Sequence, residues 1–242
     1  MKTAVITGAT SGIGRYLAFE LSKRGYTLGL TGRRIELLES LQAELPGSSI
    51  IQKMDVTDVQ ASEQQLLDMI HQLGHVDVLI LNAGIASYTS DFRWEDENRI
   101  IQTNVTGFCA LLNVYWHYCA EHGKAGHIVG VSSVASHIPN GGSTAYNASK
   151  AFISNYMTGL QIKAKKKYLP ITITDIKPGF VDTPMTKGQR NMFWVSTPEK
   201  ACRQIADAIE QKKPNVYITR RWRFAALMAR LIPNAFYRKF GR

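Results

Sequence analysis

The sequence predicts an α/β domain built on a doubly wound parallel sheet of about seven strands. Short runs rich in Val, Ile and Leu recur at "TAVIT" (3–7), "TLGLT" (27–31), "SIIQKM" (49–54), "DVLIL" (77–81), "HIVGVS" (127–132), "ITITDI" (171–176) and "NVYIT" (215–219). Segments with helical spacing lie between them, the order of βαβ units. The runs are mostly apolar throughout instead of alternating, which suits strands covered on both faces. Ligands of such sheets sit beyond the carboxyl ends of the strands, so the residues that close each run are where chemistry is to be sought.

Taken in order, the first run leads through "TGATSGIG" into a helix containing Arg15–Lys23, with Leu17 and Leu21 at helical spacing before Gly25. The second is followed by Leu37, Leu38, Leu41 and Leu45, a helical pattern that Pro46 stops. After the third run come Asp55, Val56 and Asp58; Asp58 is the better helix cap because the helical segment begins just after it, and Asp55 is the competing candidate. At 242 residues the chain suits one domain with a sizeable core, a Rossmann-type layout. Residues 1–219 form the expected domain, and 220–242 a tail.

Hydrophobic residues make up 45% of the chain and charged ones 20%, without low-complexity runs, as in ordinary globular proteins. Cys109, Cys119 and Cys202 form no CxxC pair, so reduced thiols and a cytoplasmic setting are expected. Met1 runs directly into "KTAVITG", which has none of the features of a signal peptide. The six histidines lack metal-ligand spacing, and no metal site is expected. His137 alone is placed to meet a substrate, although a solvated loop histidine is the simpler reading.

Glycines at 8, 12 and 14 allow a tight turn that brings backbone close to a pyrophosphate at a helix N-terminus; a plain glycine turn is the alternative. The second strand ends "LTGRR". An acidic residue there would bind a ribose 2′-hydroxyl, whereas Arg33 and Arg34, following Gly32, would attract a 2′-phosphate. That favours NADP(H), with Arg33 as main contact, over a solvated arginine pair, since arginine is disfavoured at the positive end of a helix. In "TAYNASK" (144–150), Tyr146 and Lys150 stand four apart and share a helix face. Alone, the stretch reads more readily as a surface helix than as a site. A cation within about 4–6 Å can lower a neighbouring acid's pKa by about 1–3 units and poise the phenol as a general acid.

The spacing G-x-x-x-G-x-G resembles the cofactor turn of the short-chain dehydrogenase/reductase family. Five further stretches match that family in order: "LNAGIA" with Asn82, Ala83 and Gly84, "QTNVTG" with Asn104, "VSSVAS" with Ser133, "YNASK" with Tyr146 thirteen residues after Ser133, and "KPGFVDTPM" with Pro178, Gly179, Val181 and Thr183. Leu81 stands where the family has a first Asn. The resemblance covers about residues 1–219 and implies these roles. Gly8, Ser11, Gly12, Ile13 and Gly14 would hold the cofactor phosphates; Asp55 and Val56 would flank the adenine; Asn82, Ala83, Gly84, Pro178, Gly179, Val181 and Thr183 would complete the cofactor site. Tyr146 would protonate the substrate carbonyl as hydride arrives, Ser133 would bind the same oxygen, Lys150 would tune Tyr146 and hold ribose hydroxyls, and Asn104 would hold a relay water. A homodimer or homotetramer through the helices around 104–121 and 146–168 is also implied.

The function so read is NADP(H)-dependent hydride transfer to or from a carbonyl or secondary alcohol, with a small 3-hydroxy acid as alternative substrate and a non-catalytic NADPH sensor as the alternative of another class. Met185, Met192, Phe193 and Trp194, after Thr183, suit either an apolar lid or a small packed helix. The net charge of +10 is a C-terminal property: residues 211–242 carry nine basic and no acidic side chains. There Phe224, Leu227, Met228, Leu231 and Ile232 follow helical spacing, giving a basic amphipathic helix too short to cross a bilayer. Its apolar face could pack on the domain or across a dimer, or lie on a membrane surface; a nucleic-acid backbone fits least well.

Overall fold

The computed structural model describes residues 2–87, 91–189 and 192–240. Arg242 of the tail and residues 190 and 191 of the segment after Thr183 lie outside them. Each predicted run is a strand: β1 Lys2–Ile6, β2 Tyr26–Gly32, β3 Ser49–Lys53, β4 Val78–Leu81, β5 Gly126–Val131, β6 Ile171–Pro178 and β7 Asn215–Ile218. They form one sheet in the order β3-β2-β1-β4-β5-β6-β7, and every pairing is parallel. The order reverses between β1 and β4, and that switch point opens a crevice at the carboxyl edge.

Helices cover both faces, which is why the strands are apolar on both. Ile6, Leu28, Leu30, Ile80 and Val129 pack with Leu17 and Leu21 of α1 (Gly12–Lys23), Leu38 and Leu41 of α2 (Ile35–Glu44), and Ile205 and Ile209 of the helix Pro198–Glu210. On the other side, Val5, Leu79, Ile128 and Ile173 pack with Leu66, Met69 and Ile70 of α3 (Val59–Leu73) and with two long helices, Gly107–Glu121 and Thr144–Lys166. In chain order these are α4 (Trp94–Ile101), α5 (Gly107–Glu121), α6 (Thr144–Lys166), α7 (Pro198–Glu210), α8 (Trp222–Leu231) and α9 (Asn234–Phe240). Asp58 caps α3 by accepting from the Ala61 amide at 3.1 Å, while Asp55 folds onto Thr57. A π-helical turn, Gln102–Thr106, joins α4 to α5.

The tail departs from one expectation. Helix α8 packs on the domain through Trp222, Ala226 and Ala229, all buried, whereas Phe224, Leu227, Met228 and Leu231 of the predicted apolar face point outward and Ile232, half-buried, stands just past the helix end. Packing of that face on its own domain is therefore excluded. The winning side is the narrower one, because Trp222 stacks edge-on against Phe180 at 5.5 Å and lies directly over the α-carbon of Gly179.

Candidate active site

The carboxyl ends of the central strands open onto a cleft of about 1130 Å³. All but two of the predicted site residues line it; Gly14 and Asn104 stand behind its wall. Gly8 and Gly12 have φ of +69° and +55°, a backbone that other L-residues rarely adopt. A Cβ on Gly14 would lie 2.3 Å from the Gly8 carbonyl oxygen, so α1 approaches the turn closely only with glycine there. Asn82 locks the turn to β4 by donating from Nδ2 to the Thr7 and Gly8 carbonyls, both at 3.1 Å. Leu81, in the place of the family's first Asn, is buried in the core. Backbone freedom at the turn, a helix N-terminus and a long open cleft together fit a dinucleotide phosphate.

At the end of β2, Arg33 and Arg34 are exposed and line the cleft. Arg34 reaches back to the turn, donating to Thr10 Oγ1 at 2.9 Å and Ser11 Oγ at 3.4 Å. A Cβ at Gly32 would meet the Thr10 methyl at 2.6 Å, so position 32 has little room for an acidic side chain. Asp55 and Val56 line the wall beyond β3, and Thr183 faces Gly12.

Across the cleft, α6 presents Tyr146 and Lys150 together, with the Lys150 ammonium 5.7 Å from the Tyr146 ring centroid. Lys150 is buried and donates to the Val131 carbonyl, the last residue of β5, at 2.9 Å. Burial pulls its pKa from 10.5 to about 8, opposed by the Asp175 carboxylate, which favours the charged form. Asn104, fully buried in the π-turn, donates to Ser149 Oγ at 3.0 Å and to the Ile85 carbonyl at 2.9 Å, and accepts from the Ile85 amide at 2.8 Å. Ser149 in turn donates to the Tyr146 carbonyl at 2.7 Å, so one carboxamide fixes the β4 loop to the α6 turn that carries Tyr146. Ser133 sits at the cleft wall, its hydroxyl accepting from the Ala135 amide at 3.1 Å.

Several residues of this region were not anticipated. Ser132 donates at 2.5 Å to Asp175, which is fully buried and ion-paired with buried Lys177. Lys177 also reaches Asn215 at 3.2 Å and lies over the Tyr217 ring at 5.8 Å. His137 is within hydrogen-bond distance, 3.0 Å, of the Tyr217 hydroxyl and is not among the cleft-lining residues. The segment after Thr183 contains no helix among its described residues; Met185, Phe193 and Trp194 are largely exposed, and Phe193 lies 5.0 Å from Trp222. That is the arrangement of an apolar rim rather than of a packed helix. Among the described residues no cluster of His, Cys, Asp and Glu could hold a metal.

The fold and the cleft are those of a nucleotide-binding α/β enzyme. Residues 2–193 match the short chain dehydrogenase family, and the chain belongs to that family of nicotinamide-using oxidoreductases. It is 33% identical over 98% of its length to an uncharacterized oxidoreductase of Myxococcus xanthus, of which the match spans 94%. Among solved structures, the closed form of serine dehydrogenase complexed with NADP+ is similar, with TM-score 0.77 and 26% identity, over 88% of this chain and 92% of that one. A short chain dehydrogenase/reductase from Burkholderia phymatum in complex with NAD has TM-score 0.84 at 21% identity, over 100% and 95%, a likeness of fold.

The lowered Lys150 pKa has a measurable consequence. Between about 8 and 10.5 the unfolded chain holds a proton that the folded, cofactor-free chain releases, so stability rises with pH through that window. The burden on the folded state below pH 8 is about 3 kcal/mol on a scale of about 1.4 kcal/mol per pKa unit. Denaturant titrations from pH 7 to 10.5 should show this gain in the wild type and not in Lys150→Met, which should be at least as stable at pH 7.

Proposed function

We propose that the chain is an NADP(H)-dependent oxidoreductase that interconverts a carbonyl and a secondary alcohol bearing some apolar bulk. The observation that carries this reading is the pairing of Tyr146 with a buried Lys150 ammonium on one wall of the cleft. The nicotinamide, when bound, supplies or accepts hydride. Tyr146 gives the proton to the carbonyl oxygen, and Ser133 donates a hydrogen bond to the same oxygen as charge develops on it. Lys150 favours the phenolate electrostatically and binds ribose hydroxyls. The Asn104 carboxamide is committed to Ile85 and Ser149, so a relay water would be held by its backbone, where the π-turn interrupts the helical ladder.

Preference for the 2′-phosphate is supported by Arg33 and Arg34 beside a Gly32 that abuts Thr10. Gly8, Ser11, Gly12 and Ile13 would hold the pyrophosphate, and Asp55 and Val56 the adenine. An apolar substrate is supported by a rim of Met185, Phe180, Phe193 and Trp222. The likeness to a serine dehydrogenase favours the second reading, a small 3-hydroxy acid, but that rim suits a larger molecule. A non-catalytic NADPH sensor would need none of Tyr146, Lys150, Ser133 and Asn104. We read the enzyme as a cytoplasmic homodimer or homotetramer formed through α5 and α6, where Phe152 and Ile162 are exposed.

Screening ketones of increasing size against NADPH consumption should identify substrates with apolar bulk. On the best of them, Tyr146→Phe should lower kcat by about 10²–10⁴-fold while NADPH binding is retained. Turnover preserved in this variant would contradict the assignment. Arg33→Ala should raise KM for NADPH far more than for NADH, and equal effects would rule out a 2′-phosphate contact.

A further inference from the structure

The four large apolar side chains of α8 are turned away from the domain: Phe224, Leu227, Met228 and Leu231 are 71%, 57%, 62% and 69% exposed. Their spacing puts them on one stripe, opposite the buried stripe of Trp222, Ala226 and Ala229. A contiguous exposed apolar stripe of this kind marks an interaction surface. Arg220, Arg221 and Arg223, all exposed, stand at its N-terminal end, and no acidic residue occurs anywhere in 211–242.

The N-terminal end of α8 stands at the mouth of the cleft. Trp222 lies 5.6 Å from Trp194 and 5.0 Å from Phe193, both largely exposed, and Arg221 sits 5.3 Å over the Trp194 ring. Phe193 and Trp222 themselves line the cleft. The basic collar and the apolar rim of the cleft therefore meet at the N-terminal end of α8, from which the exposed stripe runs.

We propose that α8 docks on an anionic lipid bilayer, with its outer face at the headgroup–acyl boundary, its arginine collar among the headgroups and the mouth of the cleft at its N-terminal end. Ten residues make a helix of about 15 Å, half the thickness of a hydrocarbon core of about 30 Å, so α8 lies along the surface. Among the described residues no helix is long and apolar enough to cross a membrane. Charge decides between a bilayer and a second copy of the chain. A second copy of this face would bring more basic side chains and, from residues 211–242, no carboxylate to meet them, whereas anionic headgroups complement the collar. Docking there would present the cleft to apolar carbonyl compounds dissolved in the membrane, a consequence that rests on the reductase reading; the docking itself does not.

Flotation of the full-length chain with phosphatidylcholine vesicles, with and without phosphatidylserine, tests the proposal without any turnover readout. At low salt the chain should float with the phosphatidylserine vesicles only. Leu227→Glu/Leu231→Glu, at exposed positions outside the cleft, should melt like the wild type and lose about tenfold or more of the bound fraction. Failure of the wild type to float overturns the proposal. So does binding that the double variant leaves intact, which would make the contact purely electrostatic. A third contrary outcome is a dimer in sedimentation that the double variant dissociates, with no vesicle binding by either chain; a second copy would then cover the stripe.

Discussion

The buried ammonium of Lys150 is the constraint around which the site is arranged. A cation taken out of water is costly unless hydrogen-bonded and paired, and here the relief comes from two directions. The Val131 carbonyl accepts from it directly, and the Asp175 carboxylate, one strand over, acts through its field. Both are set by the sheet: Val131 closes β5, and Asp175 lies in β6 alongside it, paired in register with Gly130. The position of Lys150 then fixes that of Tyr146, one helical turn earlier on α6.

A second set of contacts keeps that helix turn from drifting. Asn104 ties Ile85 to Ser149, and Ser149 bonds back to the Tyr146 carbonyl. Beneath the cleft, Ser132, Asp175 and Lys177 form a buried polar chain that continues to Asn215. Such a network is favourable only when every member is satisfied. In this one the carboxylate has Ser132 and Lys177 as direct partners, and its field reaches Lys150.

The strands were legible because parallel strands covered on both faces must be apolar throughout, and the cleft residues because they close those strands. The i, i+4 spacing put Tyr146 and Lys150 on one helix face, but only their place among the other family-like stretches singled them out. Asp175 and Lys177 were not legible: in "ITITDIKP" they read as ordinary polar positions, and nothing local says that they neutralise each other inside the sheet. The π-turn at Asn104 escaped for a similar reason, since nothing in "QTNVTG" marks a widened helical turn. For α8 the periodicity was right and left the orientation open. A period of 3.6 identifies two faces, but which one meets the domain was decided by Trp222 fitting over Gly179, a contact 43 positions away in sequence.

The central claim is that Lys150 serves chemistry and cofactor at a cost to the folded protein. It is tested most directly by measuring NADPH affinity and single-turnover hydride transfer in Lys150→Met, with the best carbonyl substrate at saturating NADPH. The account predicts weaker NADPH binding together with a transfer rate lowered by about 10²-fold or more in a protein that remains folded. A folded variant that transfers hydride at the wild-type rate would contradict it.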